Sequence, residues 1–143
     1  MEIRKNRIKQ RLREGKHVIA IENLNDPDLV ELFAPNDPHC FWFEGEHSIV
    51  NPQNIGDLTR ASDLINATSV VRVPRPEYQL IYHAFDLGAQ GVAVPHVKSK
   101  VDAELVVNAS KFSPIGQRGM FTSRQGIGAV SYTHLTLPTN REV

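Results

Sequence analysis

Four short apolar runs recur along this chain, beginning near residues 17, 40, 69 and 91, and a stretch of helically spaced apolar side chains follows each. That spacing, about 25 residues, is what a strand, a covering helix and a return to the next strand require. The runs, 17–21, 40–44, 70–73 and 91–94, are short and lack strict alternation. Parallel strands buried on both faces have that character. The segments between them carry helix punctuation. Asp26-Pro27 and Asn51-Pro52 each offer an N-cap followed by proline at the first helical position. Pro76 is expected to open a further helix that ends at Gly88, and Ser99-Lys100-Val101-Asp102 is a capping-box-like start. The expected buried stripes are Leu29, Val30, Leu32 and Phe33; Ile55, Leu58, Ala61, Leu64 and Ile65; Leu80, Ile81, Ala84 and Phe85; and Val101, Leu105, Val106 and Ala109. A leading helix over 3–14, with Ile8 and Leu12 on one face and Gly15 as its stop, precedes the first strand.

Repeated strand–helix units build either a doubly wound open sheet or an eightfold barrel. No Gly-x-Gly-x-x-Gly follows the first run, where a dinucleotide fold places it. Charged side chains follow the second and third runs instead, and a barrel gathers its chemistry on loops at the C-terminal ends of its strands. A complete barrel takes about 250 residues. The four units and leading helix occupy residues 1 to about 112 of 143. The expectation is therefore an α/β fold, a (β/α)8 TIM barrel truncated to about its first four units plus a leading helix, over residues 1–128. Residues 129–143, containing Ser131-Tyr132-Thr133-His134-Leu135-Thr136-Leu137-Pro138, resemble translated sequencing-adapter read-through and are expected to be non-native. The same residues also alternate as an ordinary strand would.

With 41% hydrophobic and 22% charged residues, the composition is that of a globular protein. A net charge of zero gives no footing for nucleic acid as a partner. No apolar run approaches the roughly 18 residues of a membrane span, and no signal peptide precedes the first helix, so a cytoplasmic setting without membrane partners is expected. Cys40, the single cysteine, can form no intramolecular disulfide and reads as a small buried hydrophobe.

Glu44-Gly45-Glu46-His47 ends the second run, and Val71-Arg72-Val73-Pro74 ends the third. On residue type alone, a histidine after a strand is more often structural than chemical, and Arg72 suits a salt bridge as well as a site. His96 follows Pro95 at the end of the fourth run and could line a pocket. His17 and His39 stand at strand starts, on the opposite rim, and His83 lies in a helix beside Tyr82; all three read as structural or surface groups. Gly126-Ile127-Gly128 is a weak signal for phosphate, with no strand or helix to frame it.

Phe43-Glu44-Gly45-Glu46-His47, then Val71-Arg72-Val73-Pro74, then Asp86-Leu87-Gly88-Ala89-Gln90-Gly91-Val92 with Val94-Pro95, then Ser113-Pro114-Ile115-Gly116-Gln117-Arg118-Gly119, resembles in order and spacing the HpcH/HpaI aldolase family, over about residues 6–120. The resemblance implies a metal-dependent pyruvate aldolase, which reversibly cleaves 4-hydroxy-2-oxo acids to pyruvate and an aldehyde. It implies that a divalent cation (magnesium, manganese or cobalt) acts as a Lewis acid on the 2-oxo acid. His47 matches the family histidine that takes the hydroxyl proton through a metal-associated water. Arg72 matches the arginine aimed at the enolate oxygen. Glu44 stands where the family usually has an aspartate that pairs with the histidine; the longer glutamate is a departure. Glu46 keeps the family's Glu-His pair in a supporting role, and Ser113 stands where a second proline is common. The family's metal ligands, a glutamate after strand five and an aspartate after strand six, are expected beyond the end of this chain. The 143-residue chain is accordingly expected to bind no metal and to be inactive, and the full-length protein to be a homo-oligomer, a hexamer by resemblance. An acyl-CoA or malyl-CoA lyase of the same superfamily, and a non-catalytic α/β scaffold, are the alternatives.

Overall fold

A computed structural model describes residues 4–120. The tail 129–143 and the Gly126 to Gly128 pair lie outside the described residues. Within them, strands β1 (Ala20–Glu22), β2 (Cys40–Glu44), β3 (Thr68–Arg72) and β4 (Gly91–Ala93) form one sheet in the order β1-β2-β3-β4. Every pairing is parallel. Helix α1 (Arg7–Arg13) precedes the strands, α2 (Pro27–Leu32), α3 (Ile55–Leu64) and α4 (Tyr78–Asp86) lie between them, and α5 (Lys100–Ser110) follows β4. This is the α/β alternation expected of the first four barrel units.

Strand alternation sorts side chains to two faces. Phe41, Phe43, Val71 and Val73 face the helices and are buried with Val30, Leu58, Ile81 and Ala84. Phe33, just after α2, meets the Phe41 ring edge-on, and Phe41 stacks on Phe43. The other face carries Trp42 and Glu44 on β2 and Val70 and Arg72 on β3, in register. Cys40 is buried as expected, and desolvation pushes its thiol up to about 11. The central strands β2 and β3 are well buried, whereas β1 and β4 are only partly covered.

Several local expectations shift. The first strand begins at Ala20, later than the apolar run at 17–21, so His17 precedes the sheet. Asn51 does not cap a helix at Pro52: its Oδ1 accepts the Gln53 N–H at 2.8 Å in an Asx turn, and α3 starts at Ile55. Helix α4 starts at Tyr78, after Pro76. The Asp26 cap and the Ser99–Asp102 capping box form as read. Leu12, Leu29, Leu32, Leu64 and Val101 fall outside the buried stripes and are exposed. Each helix packs on the sheet through a narrow contact, so the flanks of a nominal stripe reach solvent.

Helix α1 closes the N-terminal rim. Its first backbone N–H, at Arg7, donates to Thr68 Oγ1 at 2.8 Å, and Asn6 Nδ2 donates to Gln90 O at 3.3 Å. The Arg7 guanidinium pairs with Asp37 and donates to the carbonyls of Pro38 and Asn66. One helix start thereby ties together the beginnings of β2, β3 and β4. His39 lies at the same rim, buried, with Nδ1 accepting the Ile19 N–H at 2.9 Å.

Leu58→Ala, in a fully buried position, is expected to destabilise the chain by about 2–5 kcal/mol, and Leu64→Ala, at 74% exposure, by less than about 0.5 kcal/mol. Urea unfolding of the two variants checks which face of α3 is the core face.

Candidate active site

Parallel register sets Glu44 directly opposite Arg72 at the C-terminal ends of β2 and β3. Their side chains share a face and meet: Arg72 Nη1 donates to Glu44 Oε2 at 3.3 Å. The chain then turns at Gly45, whose N–H donates to Arg72 O at 2.8 Å. A Cβ at Gly45 would lie 2.5 Å from that carbonyl oxygen, so only glycine lets the loop leave the sheet this close to β3. Gly45→Ala should cost about 1–3 kcal/mol through backbone displacement; a variant as stable as the parent in urea would remove this account of the turn.

Glu44 organises the loop rather than the imidazole. Its Oε1 accepts the Glu46 N–H at 2.8 Å and the His47 N–H at 3.2 Å, and its Oε2 accepts the Trp42 indole N–H at 3.3 Å. The expected Glu44–His47 side-chain pair is therefore not formed. The longer glutamate folds back over its own strand end and uses its oxygens there. The carboxylate beside the His47 ring is Glu46, with His47 Nε2 at 3.5 Å from Glu46 Oε2.

Glu46 is the hub. Its side chain is only 10% exposed, and its Oε2 also pairs with Arg72 Nη2. Its Oε1 lies 2.8 Å from His96 Nε2, so the end of β4 joins the ends of β2 and β3. His96 is thus a member of the cluster, and its sequence signal is a histidine after Pro95 at a strand end. The His47 and His96 rings are mostly solvent-facing, at 71% and 62% side-chain exposure. His83 stays on α4 against the Tyr82 ring, away from the rim.

The cluster holds two carboxylates, one guanidinium and two imidazoles. It does not by itself fit the divalent cation that the resemblance implies. Among the described residues no three or more His, Cys, Asp or Glu side chains converge to hold a metal ion. The Glu44 and Glu46 oxygens already face N–H groups, Arg72 and His96. Glu46 Oε2 lacks a well-aligned hydrogen bond, but the Arg72 cation beside it repels a second cation.

The HpcH/HpaI aldolase/citrate lyase family model matches residues 22–140. The chain belongs to this family. It is 32% identical over 124 residues to a 4-hydroxy-2-oxovalerate aldolase from Novosphingobium aromaticivorans, covering 83% of this chain and 46% of that protein. It is 33% identical over 121 residues to a hydroxypyruvate/pyruvate aldolase from Pseudomonas aeruginosa, covering 84% and 45%. Among solved structures, an HpcH/HpaI aldolase from Desulfitobacterium hafniense superposes with a TM-score of 0.80 at 24% identity, covering 93% of this chain and 52% of that one. The chain spans about half the length of the relatives it matches.

In this family member the loop before residue 120 is held by an arginine of the Pro114-x-Gly116-x-Arg118-Gly119 motif. Arg118 is buried, pairs with Asp86 at the end of α4 and lies over the rings of Phe85 and Phe112. A cavity of about 230 Å³ lies beneath the 45–52 loop, lined by residues that include Gly45, Val50, Ile55, Val71, Arg72 and Leu80. Its lining joins core residues of the helix-facing side to Gly45 and Arg72 of the rim, so it borders the charged cluster.

Burial opposes ionisation of Glu44, but the N–H groups of Glu46 and His47, the Trp42 indole and Arg72 together outweigh it and hold its carboxyl below the ordinary value. A depressed folded-state value stabilises the fold above the unfolded carboxyl's pKa, about 4.3, and that stability is lost as pH falls through the folded value. Glu44→Gln should therefore flatten the loss of stability below about pH 5 relative to the parent. Parallel acid slopes in urea titrations of the two proteins would show that Glu44 does not carry it.

Proposed function

We propose that this chain supplies the proton-handling and enolate-stabilising part of a pyruvate-type aldolase site, in a protein that reversibly cleaves 4-hydroxy-2-oxo acids to pyruvate and an aldehyde. One observation carries the reading. Arg72, Glu46 and the solvent-facing His47 ring converge at the C-terminal ends of adjacent parallel strands, where barrel enzymes place their chemistry. The chain's relatives are named as 4-hydroxy-2-oxovalerate and hydroxypyruvate/pyruvate aldolases, which supports the same substrate class.

In the cleavage direction His47 takes the proton of the C4 hydroxyl. The C3–C4 bond breaks, the hydroxyl carbon leaves as the aldehyde carbonyl, and the bonding pair passes into the pyruvate enolate. An imidazole suits proton transfer near neutral pH. Glu46 lies near Nε2 of the ring, where a carboxylate favours the imidazolium that forms. Arg72 is fixed by Glu44 and Glu46, and it is preorganised to stabilise the growing negative charge on the enolate oxygen. In this reading a divalent cation, magnesium, manganese or cobalt, is held by ligands outside residues 4–120. Proton transfer and charge stabilisation are the parts assigned to this chain.

The test is pyruvate release from a 4-hydroxy-2-oxo acid. Residues 1–143 are assayed alone and fused to the C-terminal half of a relative aldolase, each with added magnesium, manganese or cobalt. Turnover is expected in the fusion only; robust turnover by the chain alone would contradict the division of labour. In the active fusion, His47→Ala should lower kcat/KM by about 10²–10⁴-fold and Arg72→Ala by about 10²–10³-fold, with urea midpoints near the parent's. Losses of stability without a matching loss of rate would favour a scaffold role for both residues.

A further inference from the structure

His96 stands apart from its neighbours in backbone conformation. Its φ is +57°, in the left-handed region that side-chain-bearing residues rarely enter. Among the described residues the ring is little covered: its side chain is 62% exposed. The polar contact it does make is with Glu46 Oε1, at 2.8 Å and across 50 residues of sequence. Strained backbone held for the sake of one polar contact is found at functional sites more than elsewhere.

The two oxygens of Glu46 have different partners. Oε1 faces His96, and Oε2 faces Arg72 and the His47 ring. A carboxylate pinned at one oxygen cannot swing about its last torsion without breaking that contact, so His96 fixes the direction in which Oε2 points. Among the described residues, the charged groups that meet at this point are Glu44, Glu46 and His47 from the end of β2, Arg72 from β3 and His96 from β4.

We propose that His96 is a positioning residue: through Glu46 Oε1 it orients the carboxylate that steadies both the His47 imidazole and the Arg72 guanidinium. It touches no reacting atom in this arrangement. The consequence for the reaction rests on the aldolase reading above; the coupling between the two imidazoles does not.

The test therefore has two arms. In the first, the ring 15N signals of His47 are recorded at one fixed pH in the 143-residue chain and in its His96→Gly, His96→Ala and His96→Gln variants. Glycine removes the ring and also relieves the left-handed backbone, so the His96→Gly chain should be no less stable in urea than the parent. The His47 signals should move in the Gly and Ala variants and return toward the parent's in the Gln variant, whose amide N–H reaches the same oxygen. Unmoved His47 signals in the Gly and Ala variants overturn the proposal, as does a His96→Gly chain that loses stability with no change at His47. In the second arm, His96→Ala in the active fusion should lower kcat by about tenfold, with KM within about twofold of the parent. A raised KM with kcat unchanged overturns the positioning role. If the fusion shows no aldolase activity while the His47 signals move as expected, the coupling stands and the aldolase reading fails.

Discussion

The parallel alignment of β2 on β3 is the constraint on which the rim depends. Glu44 lies opposite Arg72 and Phe43 opposite Val71, so one register sets both the charged face and the core face. A slip of one residue would carry Arg72 into the helix layer and Val71 to the open face. The apolar partners enforce the alignment. Phe41, Phe43 and Val71 are fully or almost fully buried against the helices, and each contributes about 1.5–3 kcal/mol of transfer free energy that a slipped strand forfeits. The ion pairs at the rim are partly exposed on the Arg72 side, and pairs of that kind are worth less. Packing on one face therefore places the charged cluster on the other.

The cluster is stable because its charges alternate. Glu44 and Glu46 would repel each other at a half-buried strand end, but Arg72 bridges them. Two backbone N–H groups and an indole further stabilise Glu44 as the anion. The division between the carboxylates follows from position. Glu44, the last residue of β2, reaches back to the turn that follows it, as a short carboxylate cap would. Glu46, beyond Gly45, hangs over the mouth and meets side chains from three strands.

Much of this was legible in the sequence, and the part that was not has a physical reason. Asp26-Pro27 and the Ser99–Asp102 box are local codes in which side chain and backbone satisfy each other within four residues, and both formed as read. The short apolar runs located β2 and β3 because these are the strands covered by neighbours on both sides. Strand β1 began three residues late because an edge strand's limits depend on what its neighbour pairs, not on its own apolar content. Asn51-Pro52 misled because an asparagine can close an Asx turn as readily as cap a helix, and sequence does not distinguish the two. At the site, motif spacing brought Glu44, Glu46, His47 and Arg72 to one rim. Which carboxylate faces the ring is decided by one methylene group and by the turn at Gly45, and neither is visible in spacing. His96 is the least legible of the five, since its place depends on β4 aligning with β3 and on a left-handed backbone that no residue type there advertises.

The uneven burial of the sheet bears on what the described residues can do alone. The helix-facing side carries the core, with α1 fastening the N-terminal rim through Arg7. The opposite side carries Trp42, Val70 and Arg72, all partly exposed, and the strands that border it, β1 and β4, are covered on neither face as fully as β2. On that side the Arg72 side chain is 30% exposed, whereas that of Glu46 is 10% exposed. A guanidinium in bulk-like dielectric stabilises a growing negative charge only weakly, and the same group shielded from water does so several-fold more strongly. Residues 4–120 set the geometry of the cluster, and covering that face would strengthen the field of Arg72 on any negative charge that grows beside it.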